Sequence, residues 1–224
     1  CGNCHADQKD QFSKGKHAHA WTAMTAMPTT HMLPAQMSSG MKGCGGCHKM
    51  GLKSNEEIDK LKAAGGKYGN ASCDACHTRH TFSKKEAQQP QACQTCHMGF
   101  DHPQWEMYSA SKHGVRALLK QNGTLPDKVA APTCQTCHMQ DGNHEVRTAW
   151  GFLAVRLPLS DDPQWKADQI TILQALGVLD LKGNPTARLD AVKAADVARL
   201  DAASFKKERD KMLKTCTQCH AESF

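Results

Sequence analysis

One pattern, Cys-x-x-Cys-His, occurs six times in this 224-residue chain and uses all twelve of its cysteines. The copies are Cys1-Cys4-His5, Cys44-Cys47-His48, Cys73-Cys76-His77, Cys93-Cys96-His97, Cys134-Cys137-His138 and Cys216-Cys219-His220. This is the attachment motif of c-type haem. Its two thiols form thioethers to the porphyrin vinyls, and the adjacent histidine becomes an axial ligand of the iron. The spacing matters because two sulfurs and one imidazole must reach a single macrocycle. One copy alone reads equally as a redox dithiol or half a zinc site. Six copies with no cysteine left over point to six covalently attached haem c groups.

Six haems leave fewer than forty residues for each. That is too little for a separate domain around every cofactor, so the haems themselves must be the core. Hydrophobic residues make up 39% and aromatics 5%, thin for a chain that buries an ordinary core of its own. The formal charge of +6 is partly neutralised by the two propionates that each haem brings. Basic residues are interleaved with acids, as in Lys206-Lys207-Glu208-Arg209-Asp210-Lys211, which reads as a solvated helix face and not as a nucleic-acid surface.

Bacterial haem c is attached outside the cytoplasm, so the expected compartment is the periplasm. The cysteines do not read as a disulfide framework. The most apolar stretch, residues 150–159, is short and broken by Arg156 and Pro158, so no membrane span is expected. The chain opens on its first haem motif, which suggests a fragment or a truncated form.

Successive motifs are separated by 43, 29, 20, 41 and 82 residues, which is no tandem repeat. The closely spaced motifs from Cys73 to His138 suggest a dense stack of haems. The chain divides into 1–150, with five haem sites, and 151–224, a helical segment leading to the sixth. Asp162-Pro163 is a helix start, Trp165, Ile172, Leu173 and Leu176 recur at helical spacing, and Gly177 is a stop. Asn184-Pro185 repeats the start signal before Leu189, Val192 and Val197, and a further helix begins near Asp201 and runs into the last motif. Gly40 to Gly46 and Gly65-Gly66 read as loops. No strand alternation stands out. The expected fold is mostly α, packed around haems, with little or no β-sheet.

Seven histidines lie outside the motifs: His17, His19, His31, His80, His102, His113 and His144. A haem that only carries electrons takes a second strong ligand, whereas one that does chemistry needs that position open. Seven candidates for six haems allow both. Methionines Met24, Met27, Met32, Met37 and Met41, and Met98 and Met139 beside proximal histidines, read as packing against haem.

The stretch from Cys93 to Gly114, CQTCHMGFDHPQWEMYSASKHG, resembles the octahaem hydroxylamine oxidoreductase family. So do CDACHTRH at 73–80, APTCQTCH at 131–138 and the terminal CTQCH at 216–220, and the resemblance covers essentially the whole chain. Matched in order, the six motifs resemble the third to eighth haems of that family. The resemblance implies a catalytic haem at Cys44, Cys47 and His48, with an open distal face under the pair Asp101-His102. It implies distal ligands at His19, His80, His113 and His144, with a fifth from missing sequence or from His17 or His31. An acid and an imidazole suit proton relay in nitrogen chemistry.

Members that oxidise hydroxylamine carry a tyrosine cross-linked to the catalytic haem, and neither Tyr68 nor Tyr108 matches it. Residues 142–159 and the helical insert after them look closer to members without that cross-link, thought to reduce nitrite or hydroxylamine to ammonia. The direction stays open, with a lean toward reduction. The competing reading is a pure electron conduit with every haem six-coordinate. The family further implies a homotrimer when complete, and a cytochrome or quinone-linked protein as redox partner.

Ordering the backbone costs about 1–2 kcal/mol per residue, which this composition does not repay without the cofactors. The haem-free protein is therefore expected to be largely disordered. Far-ultraviolet circular dichroism and limited proteolysis of protein expressed without haem attachment check this, and a native-like helical, protease-resistant apoprotein would refute it.

Overall fold

The computed structural model describes residues 1–21, 47–48, 50–63, 73–77, 81–99, 102–147, 161–175, 177–187, 189 and 202–223. Cys44, His31, His80, Asp101, Tyr68, the methionines from Met24 to Met41, the glycine-rich loops and residues 150–159 lie outside that set. So does most of the helix expected after Pro185.

The described residues are helical. The helices are α1 (Ala6–Lys14), α2 (Asn55–Ala63), α3 (Lys84–Ala87), α4 (Gln91–Gln94), α5 (Gln104–Ala110), α6 (Lys112–Gln121), α7 (Cys134–His138), α8 (Pro163–Ala175) and α9 (Ala202–Cys216). Short 3-10 turns cover Lys16–His19, Cys73–Ala75 and Gln140–Gly142. The β-structure among them is an isolated bridge between Leu179 and Pro185. This bears out the mostly α expectation.

Local chemistry places the helix starts. Ser54 and Glu57 exchange backbone-to-side-chain bonds of 3.0 and 3.2 Å at the head of α2, a capping box. Ser111 caps α6 by accepting from the Gly114 N–H at 3.2 Å. Thr133 and Thr136 form a reciprocal box that starts α7, and with it the fifth haem motif. In α8 the Asp162 carboxylate accepts the Trp165 N–H at 2.8 Å, ahead of Pro163 in the first helical position. Gly177 at φ +68° ends that helix, with the Val178 N–H returning to the Leu173 carbonyl at 2.9 Å. The apolar stripe read along α8 divides: Leu173 is buried with Val178, Leu179 and Leu189, whereas Trp165 is 64% and Ile172 58% exposed. Leu176 lies outside the described residues.

Among the described residues, burial is confined to small clusters. Ala18, Trp21 and Met50 form one, tied by Trp21 N–H to Met50 O at 3.1 Å and Leu52 N–H to Ala18 O at 2.9 Å. The Lys53 ammonium lies 5.2 Å from the Trp21 ring centre. This pins the 3-10 turn that carries His17 and His19 against the segment following the second motif. A side chain at Gly15 would collide with the Glu145 backbone, so this glycine lets the same turn approach the loop that carries His144.

Helices α5 and α6 pack as a hairpin around Gly114. A Cβ there would run into the Tyr108 carbonyl. The Tyr108 hydroxyl donates to the Pro132 carbonyl at 2.8 Å, linking this hairpin to the approach of the fifth motif. Gly114→Ala is expected to destabilise the haem-loaded protein by about 1–3 kcal/mol through overpacking. Tyr108→Phe should cost about 1 kcal/mol through the lost hydrogen bond. Melting of both variants beside the parent checks this, with equal midpoints ruling it out.

Candidate haem-iron centres

The Cys-x-x-Cys-His segments that are described in full share one shape. In the first, third, fourth and sixth motifs the histidine N–H bonds the carbonyl of the first cysteine, at 2.9, 2.9, 3.0 and 2.9 Å. The fifth motif is the short helix α7, and Cys47 and His48 of the second are helical. One such turn puts positions i, i+3 and i+4 on the same face. Both sulfurs and the imidazole therefore leave the backbone together, as attachment of a single macrocycle requires. None of the described cysteines is in a disulfide.

The motifs also lie close to one another. Gln135 reaches from the fifth motif to the carbonyls of Ala87 and Gln89, at 2.6 and 2.9 Å, and to the Cys93 sulfur at 3.7 Å. The Cys93 and Cys134 thiols hydrogen-bond, which holds Cys93 up and Cys134 down from the ordinary thiol range. Burial pushes Cys76 up, with Cys96 and Cys73 adding to the shift. Burial likewise pushes Cys137 up, with Cys216, Cys134 and Cys219 nearby. Helix α9 packs on α7, and Gln140 bonds Thr215 between the fifth and sixth motifs. The run from Cys73 to His138 is thus one cluster, and the sixth motif is appended to it. Burial, then the same cysteines Cys134, Cys137 and Cys93, raises the Tyr108 phenol to about 12, so it stays a neutral donor.

Four histidine pairs bring a motif histidine against one from elsewhere in the chain. Ring centres are 6.0 Å apart for His97 and His17, 6.2 Å for His77 and His144, 5.9 Å for His220 and His113, and 6.1 Å for His48 and His102. Two imidazoles on opposite sides of one metal, each about 2 Å from it, have ring centres about 6 Å apart. Direct stacking would bring the rings closer. The separations fit an iron held between each pair.

Charge agrees with geometry. Burial first, then His97, His138 and His48, lowers the His17 ring to about 4. Burial, then His144 and His5, lowers His77. Burial also lowers His97, with His102 and His138 adding to it against an opposing hydrogen bond that the ring donates to Gln104. Neutral imidazoles are the form that ligates metal. The His144 Nδ1 atom is buried with no hydrogen-bond partner among the described residues. His138 donates from Nδ1 to the Arg147 carbonyl at 2.7 Å, which leaves Nε2 as the lone-pair nitrogen.

His144 is positioned by a constrained loop. Its N–H bonds the Gln11 side chain of α1 at 3.0 Å, and the Arg147 N–H returns to the His138 carbonyl at 2.9 Å. Asp141 and Val146 both adopt positive φ, +55° and +49°, a strain held by these bonds and the Arg147–Glu145 ion pair at 2.8 Å.

Of the histidines read as distal ligands, His113 and His144 stand opposite motif histidines, and His80 is outside the described residues. His19 has no histidine opposite it among the described residues. His17, kept in reserve in the sequence reading, is the one facing His97. Two residues apart on a 3-10 turn, His17 and His19 diverge, and no local signal distinguished them. His102 lies opposite His48, with 6.1 Å between ring centres, while Asp101 is outside the described residues. His5 and His138 have no opposing histidine among the described residues.

A family model described as seven times multi-haem cytochrome CxxCH matches residues 1–156. A Kuenenia stuttgartiensis protein named "probable nitrite reductase-hydroxylamine oxidoreductase fusion protein" is 29% identical, over 100% of this chain and 25% of its own length. Among solved structures, a chain of a reducing HAO-like protein complex of Kuenenia stuttgartiensis superposes with a TM-score of 0.59 at 26% identity, covering 100% of this chain and 42% of that one. A hypothetical multiheme protein superposes at 0.58 with 20% identity, over 100% and 58%, and shows the likeness of fold alone. The chain thus spans about a quarter of the curated relative. The family match takes in the chain's first five motifs: the chain belongs to the multihaem c-type cytochromes.

Proposed function

We propose that this chain is the haem-bearing part of an oxidoreductase of small nitrogen compounds, with nitrite or hydroxylamine reacting at the haem attached to Cys44 and Cys47. The observation that carries this reading is the meeting of His48 with His102, a motif histidine and a histidine from the Asp101-His102 sequence, at 6.1 Å between ring centres. Bound there, haem supplies an iron that exchanges electrons and takes a small nitrogen ligand. His48 holds the proximal side. His102 gives and takes protons at its ring nitrogens, and Asp101 is the acid beside it in sequence. Reduction of a nitrogen–oxygen bond consumes protons together with electrons, so a proton-carrying group beside the reacting nitrogen is needed. The names of two relatives, a probable nitrite reductase–hydroxylamine oxidoreductase fusion and a reducing HAO-like complex, support the reductive direction.

Of six haems in this reading, three have both ligands within the described residues. His97 with His17, His77 with His144 and His220 with His113 hold electron-transfer haems, in a sequence running from one motif cluster to the next. The complete protein is a periplasmic homotrimer that exchanges electrons with a cytochrome or a quinone-linked protein.

An electron conduit without a substrate site is the second reading. It draws on the near-identical spacing of all four histidine pairs.

Two experiments test the proposal. Haem-loaded protein is expected to oxidise a reduced dye with nitrite or hydroxylamine faster than it reduces an oxidised dye with hydroxylamine. His48→Ala should abolish that turnover, and undiminished activity in this variant would reject the catalytic assignment. His17→Ala is expected to leave every haem attached and convert one from low to high spin, seen by electron spin resonance. An unchanged spin count would remove His17 from the ligand set.

A further inference from the structure

The residues from His138 to Arg147 form a loop that closes on its own first residue. The Arg147 N–H donates to the His138 carbonyl at 2.9 Å, and the Arg147 carbonyl accepts from His138 Nδ1 at 2.7 Å. Both backbone groups of Arg147 are thus directed at the residue that carries the fifth motif's imidazole. The bond from Nδ1 is at the short end of the N–H···O range. It fixes the tautomer of the ring, with the proton on Nδ1 and the lone pair on Nε2.

Between these two ends the backbone takes a costly shape. Asp141 and Val146 adopt positive φ, +55° and +49°, and Val146 is β-branched, a class of side chain that avoids this region. Local bonds hold it there. The Glu145 N–H donates to the Asn143 side-chain carbonyl at 2.9 Å. The Glu145 carboxylate accepts from Nε and Nη2 of Arg147, at 3.0 and 2.8 Å. Arg147 therefore grips Glu145 with its side chain while its backbone grips His138. His144 stands inside this closed loop, directly before Glu145. Its N–H donates to the Gln11 side chain at 3.0 Å, and its ring lies 6.2 Å from that of His77 in the third motif, 17° from parallel.

One loop thus serves histidines of two haem motifs. A histidine that donates from Nδ1 to a carbonyl is a more basic ligand at Nε2, and a more basic ligand favours ferric over ferrous iron. We propose that Arg147 is a positioning residue for two irons at once: its carbonyl polarises His138 of the fifth haem, and its ion pair with Glu145 holds His144 to the third. This rests on the assignment of His77 and His144 to one electron-transfer haem, and it does not depend on which haem meets substrate. Loosening the loop weakens both donors, so both potentials rise. The driving force for an electron passing between these two haems then changes less than either potential does.

The test uses the haem-loaded full chain, with spectroelectrochemical titration and spin resonance of the oxidised form. His144→Ala should convert one haem from low to high spin, and the low-spin signal that disappears identifies the third haem. Arg147→Met should shift that same signal and raise two of the haem potentials. Each rise is expected to be about tenfold in the ferrous-to-ferric ratio at fixed potential, or about 59 mV for one electron. Arg147→Lys keeps a cation opposite Glu145 and should reverse most of both shifts, which a general loss of stability would not do. Potentials that stay unchanged in Arg147→Met, or a change confined to one haem, overturn the shared positioning and leave the His144 assignment standing. An unchanged spin count in His144→Ala overturns that assignment and the shared positioning with it. Should Arg147→Met lose haem, Glu145→Gln weakens the same ion pair and is judged by the same two shifts.

Discussion

Everything in this molecule depends on joining two thiols and one imidazole to the same macrocycle. That requirement selects a single helical turn, in which the histidine N–H reaches back to the first cysteine carbonyl at 2.9–3.0 Å in the four motifs where the bond is described. The turn is short enough to sit almost anywhere: in a 3-10 segment at Cys73, as an isolated helix at Cys134, or as the end of a longer helix at Cys216. Protein structure between the motifs then serves mainly to aim these turns at one another. Buried Ala18, Trp21 and Met50, for example, fix the turn that carries His17 against the segment after the second motif.

The histidines that stand opposite motif histidines come from a distance, and their placement is a tertiary problem. His113 sits on α6 directly after the Ser111 cap, with Gly114 allowing α6 to approach Tyr108. His144 is carried on a strained loop tethered to α1 through Gln11. His17 is carried on a turn that Gly15 allows to approach Glu145. Three unrelated local structures thus reach one separation between ring centres, near 6 Å. That common distance is the one that two imidazoles sharing a metal would have.

Burial works in the same direction. Taking imidazoles out of water disfavours their charged form, and packing several together disfavours it further. His17, His77 and His97 are all shifted down by burial first and neighbouring histidines second. Burial therefore favours the neutral form of these three rings. The only tyrosine near these sites in the described residues, Tyr108, is locked as a donor to Pro132 and held protonated, which suits a structural tie and not a radical or a covalent bridge.

The sequence by itself determined the chemistry of attachment, because cysteine and histidine at fixed short spacing act within one helical turn and need no tertiary information. It also determined the helix boundaries at Pro163 and Gly177 and the start of α9, since caps and left-handed terminators are local. It placed His102 opposite His48 only through family resemblance. What the tertiary structure alone decided was the pairing of distant histidines. His17 and His19 are equivalent as residues and differ by two positions, yet a 3-10 turn points their rings in different directions, and the packing of Ala18 and Trp21 against Met50 and Leu52 selects which of them meets His97. The apolar stripe of α8 failed for the same reason. Helical spacing makes Trp165, Ile172 and Leu173 eligible for burial, but only Leu173, whose carbonyl accepts the Val178 and Leu179 N–H groups of the chain folding back, is buried.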